Sequence, residues 1–385
     1  MLRRSLERLP PTLDQTYERI LCAIHEDHST HALRILRWLA FSLRPLSLEE
    51  VAEVVAVDPG SCPALDKDEI LEDPLDALNI CGSLLTLSSQ YCDELVEGDD
   101  YEVEVIEYKS DNEAEEIEYL MPSEGKRVIT LAHYSVKEYL TSERIQKGPA
   151  KIYSLQENDS NIIIANSCIG YLLQFQDAES FCRETVETHK LAQYSAQFWT
   201  YHARSCTFNK DSTQKLVMKL FSAGDGAYLN WIRIHDLDYP GQGLRTRKQA
   251  ADVAPPLYYA SLAGLTESVR YLLHDVGADV NARGQWDTSA LCTASEHGHE
   301  TVVKLLLAAG ADVNAHGKGS PIGNALLEAS AGGHEGVVKL LLAAGVGFDV
   351  HGEGSPIDNA IQAASACGQE AVVKLLWAVG GGANA

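Results

Sequence analysis

The feature that most constrains this chain is one phrase written four times in its last third. It reads LYYASLAGLTESVRYLLHDVGADVNA, ALCTASEHGHETVVKLLLAAGADVNA, ALLEASAGGHEGVVKLLLAAGVGFDVH and AIQAASACGQEAVVKLLWAVGGGANA. Its glycines Gly264, Gly298, Gly333 and Gly368 stand 34, 35 and 35 residues apart. A fixed period of this length implies a solenoid of stacked units. In the second unit Leu291, Ala294 and Ser295 precede Gly298, and their size lets a first helix approach its neighbour closely. Gly298 supplies the turn, since a residue without Cβ takes positive φ at little cost. The second helix carries Val302, Val303, Leu305, Leu306 and Leu307, apolar over most of its circumference, and stacked neighbours must cover it. Gly310, Gly345 and Gly380 stand where that helix should stop.

The phrase GADVNA after paired leucines, and PLYYAS at Pro256 to Ser261, resemble the ankyrin repeat. The histidine usual in that family's first helix is replaced by Tyr258, Cys292, Leu327 and Gln362, so one stabilising hydrogen bond of the framework is not expected here. The resemblance implies recognition of a protein partner by the turn tips and the exposed residues of the first helices. Those positions are Arg283, Gln285 and Trp286 on the first tip, Glu296 and His297 on a helix, and Lys318 and Glu353 on later tips. Trp286 reads either as an exposed anchor of the kind that dominates hot spots or as a side chain packed on its own loop.

The net charge of −24 is unevenly placed. From Tyr91 to Gly125 there are 14 Asp and Glu against one Lys, a balance of −13, so the other 350 residues carry −11. Such a block reads as a disordered, solvated loop, or as a docking tail for a basic partner. The nine cysteines are scattered without a Cys-x-x-Cys, and the first twenty residues hold no apolar core of a secretion signal. Both point to reduced thiols in the cytoplasm. The longest apolar run, from Ile162, is too short and too polar to span a bilayer, so no membrane is expected.

Ahead of the repeats the pattern is mostly helical. Thr12 with Gln15 and Ser47 with Glu50 are capping-box signatures, placing helices from Leu13 to about Ala23 and from Leu48 onward. A helix is also expected over Leu2 to Leu9, another over Ala32 to Phe41, and another after Pro74, ending at Gly82. LLTLSS and RVITLAH have strand length, and three helices followed by a hairpin describe a winged helix with the acidic block at the tip of its wing. Helices around Asn161 to Leu173, Tyr194 to His202 and Gln214 to Phe221 form a connector, with Trp199 and Trp231 in its core. Arg245, Arg247 and Lys248 belong to a solvated linker. The expected organisation is a helical tail over 1–29, a winged helix over 30–145 with its insertion at 91–125, a helical connector over 146–234, a linker over 235–253 and ankyrin repeats over 254–385. The fold class is mainly α.

The segments LERLPPTLDQTYERIL, RILRWLAFSLRPLSLEEVAEVVAVD, ICGSLLTL, ITLAHYSVKEYL and YSAQFWTYHA, in that order, resemble the region after the nucleoside triphosphatase domain of fungal NACHT–ankyrin proteins. These are signal-transduction ATPases similar to NLR immune receptors. The resemblance implies a NACHT-type partner domain in cis or in trans. It also implies a nucleotide-sensing role for His133, at the junction of the last strand and the next helix, where related receptors hold ADP; Tyr134 stands in place of their aspartate. The chain has no phosphate-binding loop of its own. Its Gly-Lys pairs, Gly125-Lys126 and Gly317-Lys318, are not followed by Ser or Thr, and Leu120 and Asp312 stand where the earlier glycine is required.

Other chemistries fare poorly. Cys22, His25, His28 and His31 recur every three residues, about 300° of helix rotation, and so drift around the axis instead of converging on a metal. His133 and Ser135 lack a visible orienting acid, and no Gly-x-Ser-x-Gly elbow occurs, so no enzyme activity and no cofactor are expected. Asp66, Asp68, Glu69, Glu72, Asp73 and Asp76 against Lys67 oppose nucleic acid at the winged helix. Val372, Val373, Leu376 and Trp377 leave the last helix without a polar outer face. That implies self-association through the last repeat or a longer receptor. The reading is a recognition and regulatory module of an NLR-like receptor; the alternatives are a free-standing ankyrin adaptor and, weakly, a DNA-binding regulator.

Overall fold

The computed structural model describes residues 12–90, 126–205, 210–222, 226–241, 243–284, 287–315, 324–346 and 356–382. The helix expected over Leu2 to Leu9 and the acidic block at 91–125 lie outside them. The chain is mainly α-helical and divides into two compact units. The first comprises Met1–Leu216, Arg233–His235 and Gly241–Thr246, and the second Val217–Ile232, Asp236–Pro240 and Arg247–Ala385.

In the first unit α1 (Leu13–Cys22) starts where the Thr12 hydroxyl accepts the Gln15 N–H at 3.2 Å. It is followed by α2 (Ser29–Phe41), β1 (Leu46–Ser47) and α3 (Leu48–Ala56). Ser47 and Glu50 satisfy each other's backbone N–H groups at 3.1 and 2.8 Å, and Glu50 also takes both guanidinium nitrogens of Arg44 at 2.5 and 2.8 Å. The buried Glu50 therefore closes the helix start and neutralises its own charge. After α4 (Asp76–Cys81) the chain turns at Gly82 with φ +58° and enters β2 (Leu85–Gln90). β3 (Lys126–Leu131) lies between β1 and β2, antiparallel to both, with Leu85 opposite Leu131 and Gln90 opposite Lys126. Residues 91–125 thus join two strand ends that are already in register.

Beyond the sheet come α5 (Tyr134–Thr141), α6 (Glu143–Gln146), α7 (Glu157–Leu172), α8 (Arg183–Thr188) and α9 (Ala192–Arg204). α7 is buried on nearly every side from Ile164 to Leu172, which matches its apolar circumference. A carboxylate ties three of these helices together. Glu53 of α3, itself buried, accepts the Tyr171 hydroxyl at 2.5 Å and the Lys190 and Leu191 N–H groups at 2.9 and 3.0 Å, at the start of α9.

α10 (Lys210–Phe221) and α11 (Gly226–Ile234) contribute Val217–Ile232 to the second unit. Phe221, Tyr228 and Trp231 pack there around Tyr259, with ring centroids 5.8 to 6.3 Å apart. Trp231, like Trp199 of the first unit, is fully buried. Lys248, expected on a solvated linker, is instead buried, with its ammonium 2.6 Å from the buried Asp236 carboxylate. Two residues on, Asp238 accepts the hydroxyls of Tyr258 and Tyr259 at 2.7 and 3.0 Å. The stretch that looked like a linker is thereby pinned to the first repeat.

The repeats are α12 (Pro256–Leu262) with α13 (Thr266–Tyr271), α14 (Ala290–Glu296) with α15 (Glu300–Ala308), α16 (Ala325–Ala331) with α17 (Glu335–Ala343), and α18 (Pro356–Ala366) with α19 (Glu370–Gly382). First helices stack on first helices and second on second, giving an α-solenoid. The first repeat has one surplus residue: 13 positions separate Gly264 from Gly277, against 12 from Gly298 to Gly310 and from Gly333 to Gly345. The structure absorbs it as a π turn at Leu272–Val276. The capping N–H of Ala278 consequently reaches Leu272 O, six residues back, whereas Ala311 and Val346 reach Leu306 and Leu341, five back.

Candidate protein-recognition surface

The turn glycines show what the framework fixes. Gly264, Gly298, Gly333 and Gly368 all have φ between +69° and +74°. Over the first three lies the side chain that follows the next repeat's turn: His299, His334 and Gln369. A Cβ on Gly264 or Gly298 would come within 2.7 or 2.6 Å of the imidazole, so glycine is required for contact as well as for conformation. His299 Nε2 lies 3.0 Å from Leu262 O, His334 Nε2 lies 2.8 Å from Glu296 O, and Gln369 Nε2 lies 3.4 Å from Ala331 O. A carbonyl only accepts, so both histidines carry their proton on Nε2. These bonds join each repeat to the one before it, and the residue after each turn glycine supplies them. The signal was present in Gly-His, Gly-His and Gly-Gln, while attention to the first helix missed it.

Charge is divided between the two helix layers. Each second helix pairs its own charges: Glu267 with Arg270 at 3.4 Å, Glu300 with Lys304 at 3.8 Å, Glu335 with Lys339 at 3.4 Å and Glu370 with Lys374 at 3.5 Å. The first helices carry Glu296, Glu328 and Asp358 and neither Lys nor Arg. Their layer is therefore acidic.

Of the residues expected to meet a partner, Glu296 is exposed, its backbone carbonyl fixed by His334. The His297 ring is held by its Nδ1, 3.0 Å from Thr293 O, and stacks 6.0 Å from His299. Arg283 donates to Asp287 O at 2.7 Å and faces its carboxylate at 3.3 Å. Gln285, Trp286, Lys318 and Glu353 lie outside the described residues.

In the first unit His133 caps α5. Its Nδ1 accepts the Ser135 N–H at 3.1 Å and lies 2.6 Å from Ser135 Oγ, which in turn lies 2.6 Å from the Tyr17 hydroxyl. With Nδ1 accepting, the neutral ring bears its proton on Nε2, and the residue is exposed. His25, His28 and His31 follow the end of α1, with successive ring centroids 6.2 and 6.4 Å apart. Among the described residues no group of three or more His, Cys, Asp or Glu side chains could hold a metal ion, and no helix is long and apolar enough to cross a membrane.

With this geometry in view the array defines a class: a solenoid of ankyrin repeats. The family model for ankyrin repeats (3 copies) matches residues 242–317. The azaphilone pigments biosynthesis cluster protein L of Monascus ruber is 33% identical over 322 residues, 80% of this chain and 61% of that protein. This chain thus spans about three fifths of that relative's length. A match of 322 residues is longer than the second unit, so it takes in much of the first. Protein phosphatase 1 regulatory subunit 27 of Mus musculus is 33% identical over 96 residues, 24% of this chain and 62% of that protein. Among solved structures the human ASB11 ankyrin repeat domain is 29% identical, covering 32% of this chain and 53% of its own, with a TM-score of 0.27.

Proposed function

We propose that this protein is a non-enzymatic recognition and regulatory module, in which the ankyrin array captures a protein partner on its acidic first-helix layer. The observation that carries this is the division of labour within the repeats. Turn glycines, paired leucines and the His or Gln links serve the stack, and Glu296 enters it only through its backbone carbonyl, leaving its carboxylate on an exposed first-helix position. Charge complementarity then favours a partner with a basic surface, and governs its rate of encounter more than its final affinity.

The first unit is the regulatory element of this reading. Its order α2, β1, α3, α4, β2, β3 with a three-stranded antiparallel sheet supports a winged helix. The exposed His133 at the strand-to-helix junction is consistent with a sensor that meets nucleotide on a NACHT-type domain supplied in cis or in trans. The similarity to the Monascus ruber relative extends beyond the repeats, which favours the two units acting together; the NLR-like signalling setting rests on the resemblance of the first unit's segments alone. The second reading, a free-standing adaptor, draws support from the phosphatase regulatory subunit, whose similarity is confined to 96 residues, the length of about three repeats.

The test is partner capture by cross-linking in the protein's own cells, comparing the wild type with Glu296→Arg/Glu328→Arg. Loss of the captured set with an unchanged melting temperature supports recognition through the first helices. An unchanged set refutes it. Addition of a NACHT-type domain separates the two readings: ADP retention that falls with His133→Ala favours the sensor, and retention indifferent to it favours the adaptor.

A further inference from the structure

Within the first unit, α2, the end of α3 and the loop that follows enclose a cleft of 630 Å³. The loop is fastened to itself: Val57 bridges Leu65, Asp58 N–H donates to Ala64 O at 2.8 Å, and Asp66 N–H donates to Ala56 O at 3.0 Å. The cleft is therefore formed before any ligand arrives, as small-molecule sites usually are. Buried Ala56, Ala64 and Leu65 line its apolar part. Polar side chains of α2 and the loop meet across it in two rungs. His31 Nε2 lies 3.4 Å from Glu69 Oε2. Three residues further, about 4.5 Å along the helix axis, Arg34 Nη2 lies 4.0 Å from Asp58 Oδ2. This second rung is open. Asp58 is held by its own turn, Oδ1 accepting the Gly60 N–H at 2.9 Å and Oδ2 the Ser61 hydroxyl at 3.2 Å, and so stops beyond hydrogen-bond reach of the guanidinium. Arg34 is fixed from its other side, where Nη1 donates to Val55 O, and its side chain is only 25% exposed. Its Nε–Nη2 edge, which can take a carboxylate with two parallel bonds, donates to nothing among the described residues.

We propose that this cleft binds a small zwitterion of dipeptide size, with its carboxylate on the open edge of Arg34 and its ammonium beside Glu69. The charge of the lining selects that class. Arg34 and Lys67 stand against Asp58, Asp66 and Glu69, so with His31 neutral the cleft is slightly negative. A dianion such as phosphate meets three carboxylates there, and a purely cationic ligand leaves the half-buried Arg34 edge without an acceptor. A molecule carrying both signs satisfies both rungs. The charged ends of a dipeptide lie roughly 6 Å apart, comparable with the spacing of the rungs, and the remaining volume accommodates its side chains. Such a ligand would give the first unit an input of its own, at residues that take no part in the His133 cap or the first-helix layer.

Saturation-transfer NMR on the full chain, titrated with alanyl-alanine, tests the assignment. Binding is expected with a dissociation constant of roughly 1 mM or tighter. N-acetylation of the probe removes its ammonium and C-amidation removes its carboxylate, and each should weaken binding at least about ten-fold. These comparisons alter the probe and leave the fold alone. Arg34→Lys, which keeps the charge but not the planar fork, should also weaken binding at least about ten-fold. Glu69→Gln, at an exposed position, should weaken it about three-fold. Absence of binding up to roughly 10 mM, equal binding of the two capped probes, indifference to both substitutions, or displacement of the probe by inorganic phosphate would overturn the proposal. The second of these leaves an apolar cleft, and the last a site for anions.

Discussion

Glu53 offers the sharpest test of how the first unit is held. Its carboxylate is 6% exposed and accepts three hydrogen bonds, from Tyr171 and from the Lys190 and Leu191 N–H groups. In Glu53→Ala the two N–H groups at the start of α9 and the buried phenol lose their acceptor together. Each orphaned buried group costs about 1–3 kcal/mol. The removal also relieves the burial of a carboxylate, and the three losses do not add fully, so the expected destabilisation is about 4 kcal/mol. For a unit of this size that corresponds to a fall of roughly 8–16 °C in melting temperature. Glu53→Gln keeps one carbonyl oxygen while turning an NH2 toward a donor, and should lose about 1–2 kcal/mol.

The assay is calorimetry, in which the two units can unfold as separate transitions. The transition belonging to the first unit should move down in the order Ala, Gln, wild type, and that of the repeats should stay in place. An Ala variant within about 1 kcal/mol of wild type would refute the view that this carboxylate ties α3, α7 and α9 together.

Burial pushes the His202 imidazole down to about 4, between the Tyr194 hydroxyl on Nε2 and Asn161 Oδ1 on Nδ1. Since the unfolded chain takes up the proton first, stability should be constant above pH ~6.5 and fall by up to about 3 kcal/mol toward pH 4, a loss that urea titrations of His202→Gln should lack. Gly298→Ala should destabilise the array by about 2–3 kcal/mol, because it strains a φ of +69° and displaces the His334 ring. Gly336→Ala should do the reverse, gaining up to about 1 kcal/mol, because its neighbour is the movable end of Glu300; circular-dichroism melts of the two variants should move in opposite directions. Deleting Asp275 should turn the π turn of the first repeat into regular helix and change stability by no more than about 1 kcal/mol. Deleting Val303, which rotates every later residue of α15, the buried Leu306 among them, by about 100°, should lower it by at least about 3 kcal/mol in the same denaturant titration.

What was legible in the sequence is what short-range chemistry dictates. The caps at Thr12 and Ser47, the stop at Gly82 and the turn and stop glycines of the first three repeats all act within a few residues, and the structure places each where the pattern put it; Gly380, expected to end its helix, instead lies inside α19, which runs to Gly382. The losses are long-range. Glu53 reads as one more surface glutamate of SLEEVAEVV, because its phenol partner is 118 positions away. Lys248 and Asp238 read as linker residues, because a charge is known to be buried only when its partner is known. Tyr258 fills the slot where a histidine was expected, and its hydroxyl, like that of Tyr259 beside it, binds Asp238, 20 and 21 residues back, rather than within the repeat.

The same distinction governs the recognition surface. Aligning the repeats on their turn glycines separates positions that must agree from positions free to differ. Ser261, Ser295, Ser330 and Ser365 agree, as do the Val-Val-Lys-Leu-Leu segments, because each repeat must seat the next. Tyr259, Thr293, Glu328 and Ala363 differ, as do Leu262, Glu296, Ala331 and Ala366, though all lie on the same first helices. Stacking alone would allow one residue to serve at each of those slots. That an exposed acid stands at Glu296, beside second helices that cancel their own charges, is therefore a difference that stacking does not dictate. A partner would read that difference, and the periodicity that reveals the solenoid cannot contain it, because the recognising residues are the ones that break the repeat.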